Sequence, residues 1–134
     1  MTSLIRTATV AIFLASAGSA QALVPLEQNR GIVAGFYAIG LADEIRKNCP
    51  SISPRWVRAY NYLKSLENYA RNAGYSDAEI ESLTKNKAAK ERLRAEIRAD
   101  LAKRGATPGN PEGYCIAGRE EIAKDSTAGR LITE

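Results

Sequence analysis

One stretch limits the folds open to this chain more than any other: Gly31 to Cys49, GIVAGFYAIGLADEIRKNC. From Gly31 to Ala42 it carries no charge, and Asp43, Glu44, Arg46 and Lys47 follow just before Cys49-Pro50. At 3.6 residues per turn, Gly31, Gly35, Ala38 and Ala42 stack into a small-residue stripe, and Ile32, Phe36 and Ile39 into a bulky one. A helix that is apolar nearly all round needs other elements about it, so the spacing predicts the central helix of a bundle. The uncharged run falls well short of the roughly 20 apolar residues that span a bilayer. Gly31, Gly35 and Gly40 each cost roughly 1 kcal/mol of helix propensity relative to alanine. Close packing against a neighbouring helix offsets that cost; a small-xxx-small contact to a membrane helix is the other use of such a stripe.

Residues 1–22 read as a targeting segment rather than structure. Arg6 supplies a positive start, Ala8 to Ala17 an apolar run, and Ala20-Gln21-Ala22 a small-x-small cleavage site. Cleavage after Ala22 leaves a mature chain of 112 residues (134 less 22), the size of one domain, 23–134. Without Arg6 the balance is 18 basic to 15 acidic side chains. A net charge near +3 is short of what a nucleic-acid binder carries. The expected location is the periplasm. In an oxidising compartment, Cys49 and Cys115, two cysteines with no CxxC spacing, read as one structural disulfide. A redox-active pair is the alternative, though catalytic dithiols usually lie close in sequence.

The central helix is expected to stop at Cys49-Pro50, because a proline disfavours helix at the residue before it. Ser53-Pro54 then reads as an N-cap and first turn. In the helix that follows, Asn61, Lys64, Ser65, Asn68 and Asn72 share one face. Trp56, Tyr60, Leu63, Leu66, Tyr69, Ala70 and Ala73 cover the other, which is expected to fill the core, with a ligand pocket or partner surface as the alternative. Gly74 ends this helix. Ser76 and Glu79 form a capping box, with Tyr75 and Ile80 placed as a hydrophobic staple. The apolar phase then slips, which predicts a break at Lys85 to Lys87 and a further helix to Arg104 with Gly105 as its stop. Asn110-Pro111 is expected to cap a last helix carrying Tyr114, Cys115, Gly118 and Ile122 on one side. Leu131 and Ile132 are expected to strap the tail onto the bundle. The fold class is all-α: four to five helices closed by one disulfide.

The fourth helix carries the chain's only concentration of charge, eight basic against three acidic residues from Lys85 to Arg104. Arg92 with Glu96, and Asp100 with Arg104, are spaced to pair at i,i+4. A solvated face is the plain reading; contact with anionic headgroups or an acidic partner is the functional one. Lys90, Arg94 and Arg98, at i, i+4 and i+8, are the candidate partner-binding residues. No histidine occurs in the chain, which removes the usual metal ligand and general base together. Asp43-Glu44 and Glu120-Glu121 are adjacent on helices, where neighbours point about 100° apart and are not expected to converge. Arg119, beside Glu120 and Glu121, is expected to pair with the central helix. No catalytic residue, metal site or cofactor is expected.

The pieces Ile45-Arg46-Lys47-x-Cys49-Pro50, Gly74-Tyr75-Ser76 with Glu79-Ile80, Cys115-x-x-Gly118-Arg119-x-Glu121-Ile122, and Ser126 with Gly129-x-Leu131 are similar to a known pattern. Nearly the whole mature chain resembles a family of small exported bacterial proteins, of alphaproteobacterial type, with one cysteine pair and no known function. That resemblance implies export and a disulfide-closed architecture, and it brings no catalytic residues. The expected role is a non-catalytic interaction protein, an accessory subunit on the periplasmic face of an inner-membrane complex. The alternative is a soluble periplasmic bundle that binds small molecules or acts as a stress chaperone. A protein partner is expected, nucleic acid is not, and any membrane contact is peripheral.

Overall fold

A computed structural model describes residues 22–134. The expected cleavage segment, apart from Ala22, lies outside the described residues. A 3-10 turn at Leu26–Gln28 follows Pro25 and leads to α1, Arg30–Asn48. Asn29 caps α1 by accepting from the amides of Gly31 and Ile32 at 3.0 and 3.2 Å. The helix stops at Cys49, as Pro50 requires. Helices α2 (Trp56–Asn72), α3 (Asp77–Lys85), α4 (Lys87–Lys103) and α5 (Glu112–Ala123) follow. Helix α1 is the hub, packed against α5, α4 and α2.

Local signals place the helix ends. Gly74 takes φ +104° after α2, and the amides of Gly74 and Tyr75 close onto the carbonyls of Arg71 and Ala70. Gly105, at φ +80°, ends α4 in the same way. The Ser76–Glu79 capping box is formed, and Tyr75 and Ile80 are buried in one cluster behind it. The break between α3 and α4 falls at Asn86, whose side chain accepts from the Ala89 amide and starts the new helix. Cys49 and Cys115 are bridged, with an S–S distance of 2.04 Å, and tie the end of α1 to α5.

Two expectations at helix starts are overturned. Ser53-Pro54 does not open α2; it is a short strand, β1, paired antiparallel with Ile132–Thr133, β2. The tail supplies the partner. The Arg55 amide donates to the Leu131 carbonyl at 2.8 Å, and the Arg55 Nε to the Ile132 carbonyl at 3.1 Å. Leu131 and Ile132 are buried and do strap the tail down. Asn110 does not cap α5 either. Its amide donates to the Gly105 carbonyl at 2.7 Å and ties the loop back, leaving Pro111 at the helix start.

Two apolar clusters form around α1. The larger surrounds the disulfide and includes Ile45, Ile97, Leu101, Tyr114 and Ile132. The smaller joins Leu26, Ile32, Ala70, Tyr75 and Ile80 beneath the lead-in. Helix α1 is less enclosed than its sequence suggests. Val33 is exposed, and Phe36 and Ile39 are only half-buried. The reason is the arrangement of its neighbours: α2 and α4 flank α1 but scarcely touch each other, leaving its bulky stripe at the bottom of a groove.

Candidate functional site

The small-residue stripe seats α2. A Cβ on Gly35 would come within 2.4 Å of a Leu66 methyl, and one on Gly31 within 3.0 Å of the Tyr69 hydroxyl. Such close contact brings Ala59, Leu66 and Ala70 inward. It turns the large residues at the edges of the broad apolar face outward. Trp56 is 65% exposed, Val57 74%, Tyr60 61% and Tyr69 49%. The expectation that these aromatics fill the core is therefore wrong. Of this face Leu66 and Ala70 are buried, and Tyr69 lies along Gly31 with half its surface in solvent.

The exposed aromatics gather cations. The Arg46 guanidinium lies 4.9 Å from the Trp56 ring centre, and the Lys64 ammonium 5.7 Å from that of Tyr60. Asp43 fixes Arg46 at 2.5 Å and also binds Lys47. Burial would raise the Asp43 carboxyl's pKa, but hydrogen bonds and charge from Lys47 and Arg46 hold it below the usual value.

Beside this ledge runs the groove, along the seam between the two clusters. One end, of about 230 Å³, is lined by Phe36, Ile39, Leu93 and Ile132, with Trp56, Arg46, Lys90 and Arg94 at its rim. The other, of about 450 Å³, shares Phe36, Ile39, Lys90 and Leu93 with the first and adds Ile32, Val33, Leu63 and Leu83. Its rim also holds Arg92, Glu27 and Glu96.

The candidate basic triad is split by the fold. Lys90 and Arg94 face the groove together with Arg46, which is not among the candidate residues read from the sequence. Arg98 points elsewhere and donates to Glu44 at 2.9 Å. That hydrogen bond raises the Arg98 pKa, and Glu44, 8% exposed, has its charge balanced by it. Arg94 pairs with Glu91 at 2.6 Å, and Lys90 makes no ion pair among the described residues.

The expected i,i+4 pairs on α4 are replaced by others. Asp100 takes Lys103 at 3.2 Å and accepts from the Tyr37 hydroxyl at 2.7 Å, which ties α4 to α1. Arg92 and Glu96 do not pair; both stand at the groove rim. Arg104 reaches α5 and binds Glu120 at 2.7 Å and Glu121 at 2.9 Å. The two adjacent carboxylates thus converge after all, because one long guanidinium spans both. They act as a clamp rather than an acid–base pair: the second Glu121 oxygen accepts from the Ser126 hydroxyl at 2.5 Å. Arg119 pairs with Glu112 on its own helix and with Glu134 in the tail, not with α1. Every buried side-chain nitrogen and oxygen among the described residues has a partner.

Residues 24–133 match DUF5333, a family of unknown function. The chain belongs to this family. No curated protein and no solved structure matches it. The matched residues include both clusters, the disulfide and the lining of the groove. Among the described residues no helix is long and apolar enough to cross a membrane, and no group of three or more metal-binding side chains occurs.

Proposed function

We propose that the protein is a non-catalytic interaction protein of the cell envelope, an accessory subunit docked on the periplasmic face of an inner-membrane complex. The observation that carries this reading is the exposed ledge of Trp56, Val57 and Tyr60 with Arg46 stacked on the tryptophan. Tryptophan, tyrosine and arginine dominate the energetics of protein contacts, and a monomer gains nothing from leaving them in water. Export is supported by the leader-like residues 1–22 and by the disulfide, which suits an oxidising compartment. Lys90 and Arg94, beside the ledge, supply the positive rim that steers an acidic partner.

Affinity capture from detergent-solubilised membranes tests the reading with paired variants. Trp56→Ala with Tyr60→Ala should abolish recovery of a defined membrane complex while the fold is retained. Lys90→Glu with Arg94→Glu should weaken recovery mainly at low salt, since exposed charges are screened beyond about 8 Å at physiological ionic strength. Arg98 stays out of this variant, because its loss strands the buried Glu44. Recovery that ignores the ledge variant refutes the reading. The second reading, a soluble binding bundle, is favoured by one feature, the apolar groove beneath the ledge.

A further inference from the structure

We propose that the groove is a binding site for a single-chain amphiphile with a carboxylate head, of the long-chain fatty-acid class. The inference stands on the groove and goes beyond the docking of a protein partner. Its two ends adjoin at Phe36, Ile39 and Leu93, which line both; the larger, about 450 Å³, falls in the range of small-molecule sites, ~300–1,000 Å³, and the smaller adds about 230 Å³ beside it. From Ile32 to Ala42 the floor follows α1 for roughly 15 Å at ~1.5 Å per residue. That shape suits a chain rather than a compact ring.

Charge gives the site a direction. The smaller end has Arg46, Lys90 and Arg94 at its rim against one carboxylate, Asp43. Asp43 already binds Arg46 and Lys47, and Glu91 holds Arg94, so Lys90 is the cation with no acidic partner among the described residues. At the larger end Lys90 and Arg92 are offset by Glu27 and Glu96, so that end carries no net positive charge, while Ile32, Val33, Leu63 and Leu83 offer an apolar wall. A carboxylate therefore belongs beside Lys90 and Trp56, with its tail directed toward Leu63 and Leu83. Each methylene buried there contributes ~0.8 kcal/mol, so affinity rises with tail length until the wall ends. An uncharged or cationic head loses the complementarity at the rim. A two-chain phospholipid has more tail than the groove holds.

Trp56 is the chain's only tryptophan and lines the end assigned to the head, so its emission reports occupancy directly. The probe is myristate, titrated below its micellar concentration against the purified, oxidised protein. The expected result is a saturable blue shift, with 1-tetradecanol and tetradecyltrimethylammonium each binding about tenfold or more weakly. Lys90→Glu and, at the tail end, Val33→Glu should each weaken myristate about tenfold. Both positions are exposed, so the fold survives these changes. Lys124→Glu, outside the groove, should leave binding unchanged. Equal binding of the alcohol, indifference to Lys90→Glu or Val33→Glu, or no saturation overturns the proposal. So does a response that appears only with anionic phospholipid vesicles, which would mark a membrane surface contact instead.

Discussion

At Gly35 the sign of a single substitution is set by packing rather than by helix propensity. In an unobstructed helix, alanine in place of glycine stabilises by up to ~1 kcal/mol. At Gly35 the new methyl would lie 2.4 and 2.6 Å from the two Leu66 methyls. Leu66 is 7% exposed, so it must leave its rotamer or push α2 off α1. Overpacking of this kind costs ~1–3 kcal/mol, which leaves Gly35→Ala less stable than wild type by ~1 kcal/mol. Gly31→Ala is the internal control. Its methyl meets only the Tyr69 ring, at 3.0–3.1 Å, and that ring is half in solvent and can swing aside. Stability should stay within ~0.5 kcal/mol. Urea unfolding followed by circular dichroism, with the disulfide intact, reads both as midpoint shifts at constant slope. Gly35→Ala at or above the stability of Gly31→Ala would refute the close approach of α1 and α2.

Three further outcomes follow from the same contacts. Reducing Cys49–Cys115, which closes a 66-residue separation, should lower stability by ~4 kcal/mol; thiol counting should find no free cysteine in the native protein. Burial, then the bond to Asp100, pushes the Tyr37 phenol up to about 12. The unfolded chain gives up that proton near pH ~10, so this contribution is intact below pH ~10 and is lost as pH rises toward the folded value. Absorbance near 295 nm should show a late tyrosine step that Tyr37→Phe removes; a titration without that late step would contradict it. Arg98→Glu should destabilise the fold by setting a second carboxylate against buried Glu44, whereas Lys90→Glu should stay within ~0.5 kcal/mol of wild type.

Features encoded within a few residues were legible in the sequence. The capping box at Ser76, the break at Asn86, the stops at Gly74 and Gly105 and the end of α1 before Pro50 each depend on neighbours in the chain. The cysteine pair was legible from its even count, the lack of CxxC spacing and the expected oxidising compartment. What failed depends on partners far away. Ser53-Pro54 has the chemistry of a helix start, but a tail strand about 80 residues on captures it. Arg104 lies one helical turn from Asp100, yet the carboxylates of α5 offer it two charges in a less exposed site. The aromatics of α2 failed for a different reason. Periodicity shows that a face is apolar, not how much of it a partner helix covers, and a glycine-lined partner covers a narrow strip. The aromatics stay exposed, and Arg46, not among the candidate residues singled out in the sequence, stands at the rim of the candidate site.

Whether the Trp56 ledge is a contact surface can be measured most directly by site-specific photo-crosslinking in cells. The probe is placed at Val57, 74% exposed beside Trp56 and Tyr60, and in a second strain at exposed Lys124, just past the end of α5, as the reference. A discrete adduct to a periplasm-facing subunit of a membrane complex is expected at Val57, lost on Trp56→Ala with Tyr60→Ala, and none at Lys124. No adduct at Val57, or the same adducts at both positions, would contradict the assignment of this face.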